Sequence, residues 1–252
     1  MPTPFYHIYA ADELLSRQYL PPKIQQLLVS QRKNFLFGCT AADTQTVSGQ
    51  SRLETHFFGF PYRGFAALPW DELYRQYPPL AYIGKLEPEQ AAFLAGYVCH
   101  LQADWLWAMD IFLPTFDGAA RWAPFLQRMH LHNVLRAYLD ATICPKLQPD
   151  VGMCLAQVEP GDWLPFLKAE HLLAWRTILV DQFQPGSPSR TVEVFAQRLG
   201  TSPLEFYRLL ESEERMDEEI FRHLPRSRLD SYHTRLLSAN THVLSHWEEM
   251  LP

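Results

Sequence analysis

The sequence is poor in the features that usually declare a function. Among 252 residues there are 11 glycines, and no glycine-rich phosphate loop, P-loop or nucleophile elbow is present. Only four cysteines occur, Cys39, Cys99, Cys144 and Cys154, with no C-x2-C spacing. That excludes a zinc ribbon or a disulfide framework and reads as buried small side chains in a reducing compartment. No run approaches 18 uninterrupted apolar residues, so no membrane span is expected. The opening stretch MPTPFYHIYAADELL lacks a basic start followed by an apolar run. A secretory signal is therefore not expected, and the expected location is cytoplasmic. Positive charge is also in short supply, with 22 Lys and Arg against 28 Asp and Glu and a net charge of −6. This argues against binding nucleic acid or anionic lipid by charge alone, and it leaves room for a local basic pocket.

Strand-like alternation is nearly absent too, apart from a weak hint near Thr55–Phe60. Helical spacing dominates instead. It predicts helices over Ala11–Leu15, Pro22–Arg32, Trp70–Arg75, Pro88–Phe112, Arg121–Ile143, Trp163–Phe183, Thr191–Leu199, Pro203–Leu224 and Arg228–Met250. Glu87-Pro88-Glu89 and Ser202-Pro203 carry helix-start chemistry. The fold class expected is all-α, a multi-helix bundle. The polar stretch Cys39–Gly59 reads as a loop, and QPGSPSR at 184–190 as a linker or sharp turn. That turn divides a main bundle, 1–183, from a C-terminal helical segment, 190–252, packed on it or forming a small subdomain.

One helix raises a chemical question. AFLAGYVCHLQADWLWAMD, from Ala92 to Asp110, contains no Lys or Arg and looks made for a core. Yet it holds His100, Asp104 and Asp110, groups that are costly to bury unpaired. His100 and Asp104 are four residues apart, which places them on one helix face with Cβ atoms roughly 5–6 Å apart. Such a pair can hold one metal ion or hydrogen-bond internally. Asp110 lies about a third of a turn off that face in a regular helix, at a cavity rim or in solvent. His7, Asp43 and His56 are further candidates, and each also has a plain structural reading: a core histidine, a turn or cap residue, and a histidine packed among aromatics.

Taken in order, these residues resemble the bacterial zinc-dependent phospholipase C superfamily, whose fold is shared by the plant and fungal single-strand nucleases. Four phrases carry the resemblance: P-T-x-x-x-H-I-x-A with His7, F-L-x-G-x-x-A-x-D ending at Asp43, T-H-F with His56, and G-Y-x-x-H-L-x-x-D with His100 and Asp104. They span roughly residues 1–115. The resemblance implies that Asp43, His56, His100 and Asp104 hold one zinc, that Asp104 bridges to a second zinc also held by His7, and that Asp43 serves as general base. It departs from the pattern at the third ion. There the family has a histidine where this chain has Asp110, followed by an H-x3-E pair. Here His132 is followed four residues later by Arg136, and His130 by Val134. His132 is the member of that segment expected to face the cavity. The implied activity is hydrolysis of a phosphate ester or phospholipid head group by hydroxide on a zinc cluster. Mixed His and Asp ligation also suits manganese, iron or nickel.

Two other signals carry less. VFAQRLGTSPLEFYRLL has helix-turn-helix spacing at Ala196, Gly200 and Phe206, but the helix that follows is too acidic to face phosphates, so no DNA partner is expected. His242 and His246 are four apart near the chain end, without a supporting carboxylate cluster. Two rival readings stand beside the hydrolase: a non-catalytic scaffold stabilised by metal, and a redox enzyme holding iron in the same ligands. The oligomeric state is not written in the sequence.

Overall fold

Proline is the first residue of the helices Pro4–Ser16, Pro22–Ser30, Pro69–Gln76, Pro88–Trp107 and Pro203–Leu210. Its fixed φ suits the first turn, and its missing N–H is no loss there. The computed structural model describes residues 1–16, 20–59, 67–184, 186 and 188–251. Its principal helices are α1 (Pro4–Ser16), α2 (Pro22–Ser30), α3 (Arg32–Gly38), α4 (Arg52–His56), α5 (Pro69–Gln76), α6 (Pro88–Trp107), α7 (Phe125–Ile143), α8 (Val151–Ala156), α9 (Ala169–Gln182), α10 (Thr191–Leu199), α11 (Pro203–Leu210) and α12 (Arg226–Ser245). Among the described residues there is no strand, only an isolated bridge between Leu164 and Leu167. The fold is an all-α multi-helix bundle. No described helix is long and apolar enough to cross a membrane.

The boundaries differ from the periodic reading in instructive places. α1 runs back to Pro4, so His7 is helical. The expected helix Pro22–Arg32 breaks at Gln31, and α3 continues beyond it. The expected helix Pro203–Leu224 breaks at Ser212, whose hydroxyl accepts from the Arg215 N–H and restarts the chain as a new turn. The stretch Cys39–Gly59 is not a plain loop: it forms the helical turns Ala41–Thr44 and Gln45–Ser48 and then α4. The strand hint at Thr55–Phe60 is also not met, because Thr55 and His56 end α4; Phe60 lies outside the described residues. Of the 184–190 turn, Pro185 and Ser187 lie outside the described residues.

α6 is the axis of the molecule, with residues Ala91 to Asp104 buried without interruption. A helix apolar all round must be enclosed on every side. α3 lies closest to it. A Cβ at Gly96 would meet the Phe35 carbonyl oxygen at 2.1 Å, and one at Gly38 would meet the Phe93 oxygen at 2.0 Å. The two backbones touch because both contact residues lack side chains. On another side α12 packs on α6, and the Tyr232 hydroxyl donates to the Ala103 carbonyl at 3.1 Å. From α9, Trp175 Nε1 donates to the Thr40 carbonyl at 3.0 Å.

Candidate metal centre

The close α3–α6 contact places the first functional group. Cys39 follows α3 directly, and its carbonyl accepts a hydrogen bond from His100 Nδ1 at 2.8 Å. A carbonyl can only accept, so Nδ1 carries the proton and Nε2 presents its lone pair. That lone pair faces the cluster: His100 Nε2 lies 3.2 Å from His56 Nε2 and 3.8 Å from Asp104 Oδ2. A ligand histidine anchored through its other nitrogen to a backbone carbonyl is the usual support of a metal site.

The short α4 delivers His56. Glu54 accepts from the Ser51 N–H and hydroxyl, capping the helix start. At the other end Phe57 adopts φ 60°, a left-handed conformation that a non-glycine residue rarely takes. Tyr97 donates to the Thr55 carbonyl, tying this turn to α6. His56 is thereby fully buried, its Nε2 3.4 Å from Asp104 Oδ2 and 3.5 Å from Asp43 Oδ1. α1 brings His7, whose ring stacks on His100 with centroids 4.0 Å apart and planes 12° from parallel. His7 Nε2 faces Asp104 Oδ1 at 3.4 Å.

Two groups of metal-ligand type result, His7–His100–Asp104 and Asp43–His56–His100, with the ligand atoms of each group within 4.8 Å of one another. They share His100, while the two oxygens of Asp104 face His7 and His56 respectively. His7 Nε2 and Asp104 Oδ1 are buried and make no hydrogen bond among the described residues. Orphaned buried atoms of this kind cost free energy unless a cation or a donor meets them. The donor set of neutral imidazoles and carboxylates therefore fits a divalent ion.

The electrostatics agree. Burial, followed by His7, lowers His100 to about 3, and burial, followed by Arg52, lowers His56. Both rings are neutral at physiological pH, the form that ligates metal. Burial pushes the Asp43 carboxyl up, but the hydrogen bond with His56 outweighs it and holds Asp43 at about 2. Asp104 is likewise held well below its ordinary range, with Arg52 foremost in overcoming its burial.

Five of the seven expected residues, His7, Asp43, His56, His100 and Asp104, come together here. Asp110 and His132 do not join them. Asp110 lies in a π-helical turn, Ala108–Phe112, and pairs with Arg235 at 2.7 and 2.9 Å. The extra residue in that turn rotates Asp110 further from the face of Asp104. His132 accepts a hydrogen bond from Trp107 Nε1 at 3.0 Å and packs against Phe112 and Phe116.

Arg52 belongs to the site although the sequence reading passed over it. Its Nη2 donates to Asp104 Oδ2 at 2.5 Å, and its guanidinium covers the Phe58 ring. The signal was present: in SRLETH, Arg52 stands four residues before His56, one turn away on the same helix face.

Among the described residues the cluster is most open at Asp43. The Asp43 side chain is 21% exposed, against 1% for Asp104 and none for His56 and His100. It borders a cavity of about 430 Å³ whose lining includes Arg52, Arg136, Arg198, Trp175 and Phe195. Burial lowers Arg136 to about 10. No family of known proteins matches this chain, and neither a curated protein nor a solved structure matches it.

Proposed function

We propose that this protein is a metal-dependent hydrolase of a phosphate ester. The observation that carries the reading is the anchored His100: its Nδ1 is committed to Cys39, and its Nε2 is aimed at a buried, incompletely satisfied carboxylate. Asp43, His56, His100 and Asp104 would hold one ion, and His7 with the other oxygen of Asp104 a second, with zinc first among the candidates. Bound zinc supplies a water of pKa about 7 and polarises the phosphoryl oxygen. Asp43 is the one carboxylate of the cluster that reaches the cavity. It receives a hydrogen bond from the attacking water and turns the oxygen toward phosphorus. Cys39, through its carbonyl, holds the imidazole of His100 in one orientation throughout.

A second reading rests on Arg52. A guanidinium on Asp104 already offsets part of the buried charge, as a metal-stabilised scaffold without turnover would need. Elemental analysis of protein purified without an affinity tag separates the alternatives. We expect at least one transition metal per chain and slow, metal-requiring hydrolysis in a panel of a phosphomonoester, a phosphodiester and a short-chain phosphatidylcholine. Bound metal without turnover of any of the three supports the scaffold. Metal-free protein that gains nothing from added zinc ends both readings.

A further inference from the structure

We propose that the cavity beside the cluster is a binding pocket for a phosphate dianion, which makes the substrate class a compact phosphomonoester; this rests on the hydrolase reading. Three arginines line the cavity, and their charges are not equivalent. Arg52 is matched by Asp104 at 2.5 Å. Among the described residues Arg136 bonds to acceptors without charge, the Met1 carbonyl and the Asn133 side chain. The nearby carboxyl of Asp140 is engaged elsewhere: Thr3 donates to one of its oxygens and Thr191 to the other. Arg198 has no carboxylate partner among the described residues. Two cationic side chains thus line one half-open cavity, and the Arg136 guanidinium lies 4.2 Å from the Phe195 ring centre.

A phosphate monoester carries a charge of about −1.5 to −2 at neutral pH, whereas a diester carries one negative charge. Two unmatched guanidiniums complement the monoester better, and their planar forks suit its terminal oxygens. The remaining wall is mixed, with the apolar side chains of Val47, Trp175, Ile178 and Phe195 beside polar ones such as Gln45 and Gln182. At about 430 Å³ the cavity lies in the lower part of the range for small-ligand sites, about 300–1,000 Å³. An aryl or similarly small apolar group fits that wall while the phosphate meets the arginines, and Asp43 at the border leads from the phosphate to the metal ligands.

Calorimetric titration of the full chain with phenyl phosphate, diphenyl phosphate and inorganic phosphate tests this, first after chelation and then with zinc present. Phenyl phosphate should bind the chelated protein, and diphenyl phosphate at least about tenfold more weakly. Arg198→Gln should weaken phenyl phosphate about tenfold, and Arg136→Lys by a similar factor because the fork is lost. Arg198 is exposed on α10, so its variant folds whatever becomes of Arg136. Should chelation unfold the chain, the zinc-replete Arg198→Gln titration decides. Unchanged affinity in that variant, or equal affinity for the two esters, overturns the proposal. Anion binding and metal content are measured separately: phosphate binding by a protein that takes up no metal leaves the pocket standing without the hydrolase, and bound metal with no arginine-dependent binding removes the pocket alone.

Discussion

His100 and Cys39 are joined by a 2.8 Å hydrogen bond from the ring Nδ1 to the backbone carbonyl, and this bond sets the tautomer on which the rest of the site depends. The bond exists because α3 can lie against α6 at the Gly38–Gly96 contact. Helix packing and ligand chemistry are therefore one problem in this protein.

Gly96→Ala tests that link. The added methyl would meet backbone, not a movable side chain, so the helices must separate. Overpacking of this kind costs about 1–3 kcal/mol. We expect a lower Tm together with weaker metal binding. A variant with parental stability and metal content would show that the glycine contact does not position His100.

Removal of the ligand itself should act on metal and stability together. His100→Ala leaves Asp104 buried with fewer partners and deletes the group shared by both triads. Metal content, read by elemental analysis, should fall to background, and Tm should fall with it. Loss of neither would mean that the cluster holds no ion.

Arg52→Gln separates the two kinds of charge compensation at Asp104. In metal-free protein the carboxylate loses its 2.5 Å partner. Breaking a buried ion pair on one side costs about 3–5 kcal/mol, an upper bound here because Arg52 is partly exposed. With zinc present the loss should be much smaller, because the ion meets the same carboxylate. Equal destabilisation with and without zinc, in denaturant titrations, would disconnect Arg52 from the metal site.

Asp43→Asn keeps the shape of the side chain and removes its charge. On the proposed mechanism the residue ligates metal and orients water, so the rate on a phosphate ester should fall far more than the metal occupancy. An equally active variant would remove Asp43 from the chemistry.

A pH dependence arises away from the cluster. Burial raises Asp140 to about 7 from its ordinary 3.8, against the opposing pull of Thr191, Thr3 and Arg136. The folded state therefore holds an extra proton between those two values. The stabilisation is complete below about pH 4 and is lost as pH rises toward 7, with a slope of at most about 1.4 kcal/mol per pH unit. Asp140→Asn should flatten that part of the stability curve. A parental slope in the variant would assign the effect to another group.

What the sequence determined by itself was whatever follows from local spacing. The unbroken apolar run around His100 and Asp104 specifies an enclosed helix, and a separation of four residues puts both side chains on one face whatever surrounds them. The proline-led starts at Pro22, Pro88 and Pro203 are local in the same way. The tertiary structure alone decided which distant groups meet that face. His7, Asp43 and His56 converge because α1, the turn Ala41–Thr44 that follows α3, and α4 are held against α6, and periodicity along one segment carries no information about the separation between segments. Asp110 shows the limit most clearly: one π turn after Asp104 changed the register and sent it to Arg235 on α12. Arg136 and Arg198 stand far apart in sequence from Asp43, and only the packing of α7 and α10 over the cluster turns them into the wall of one cavity.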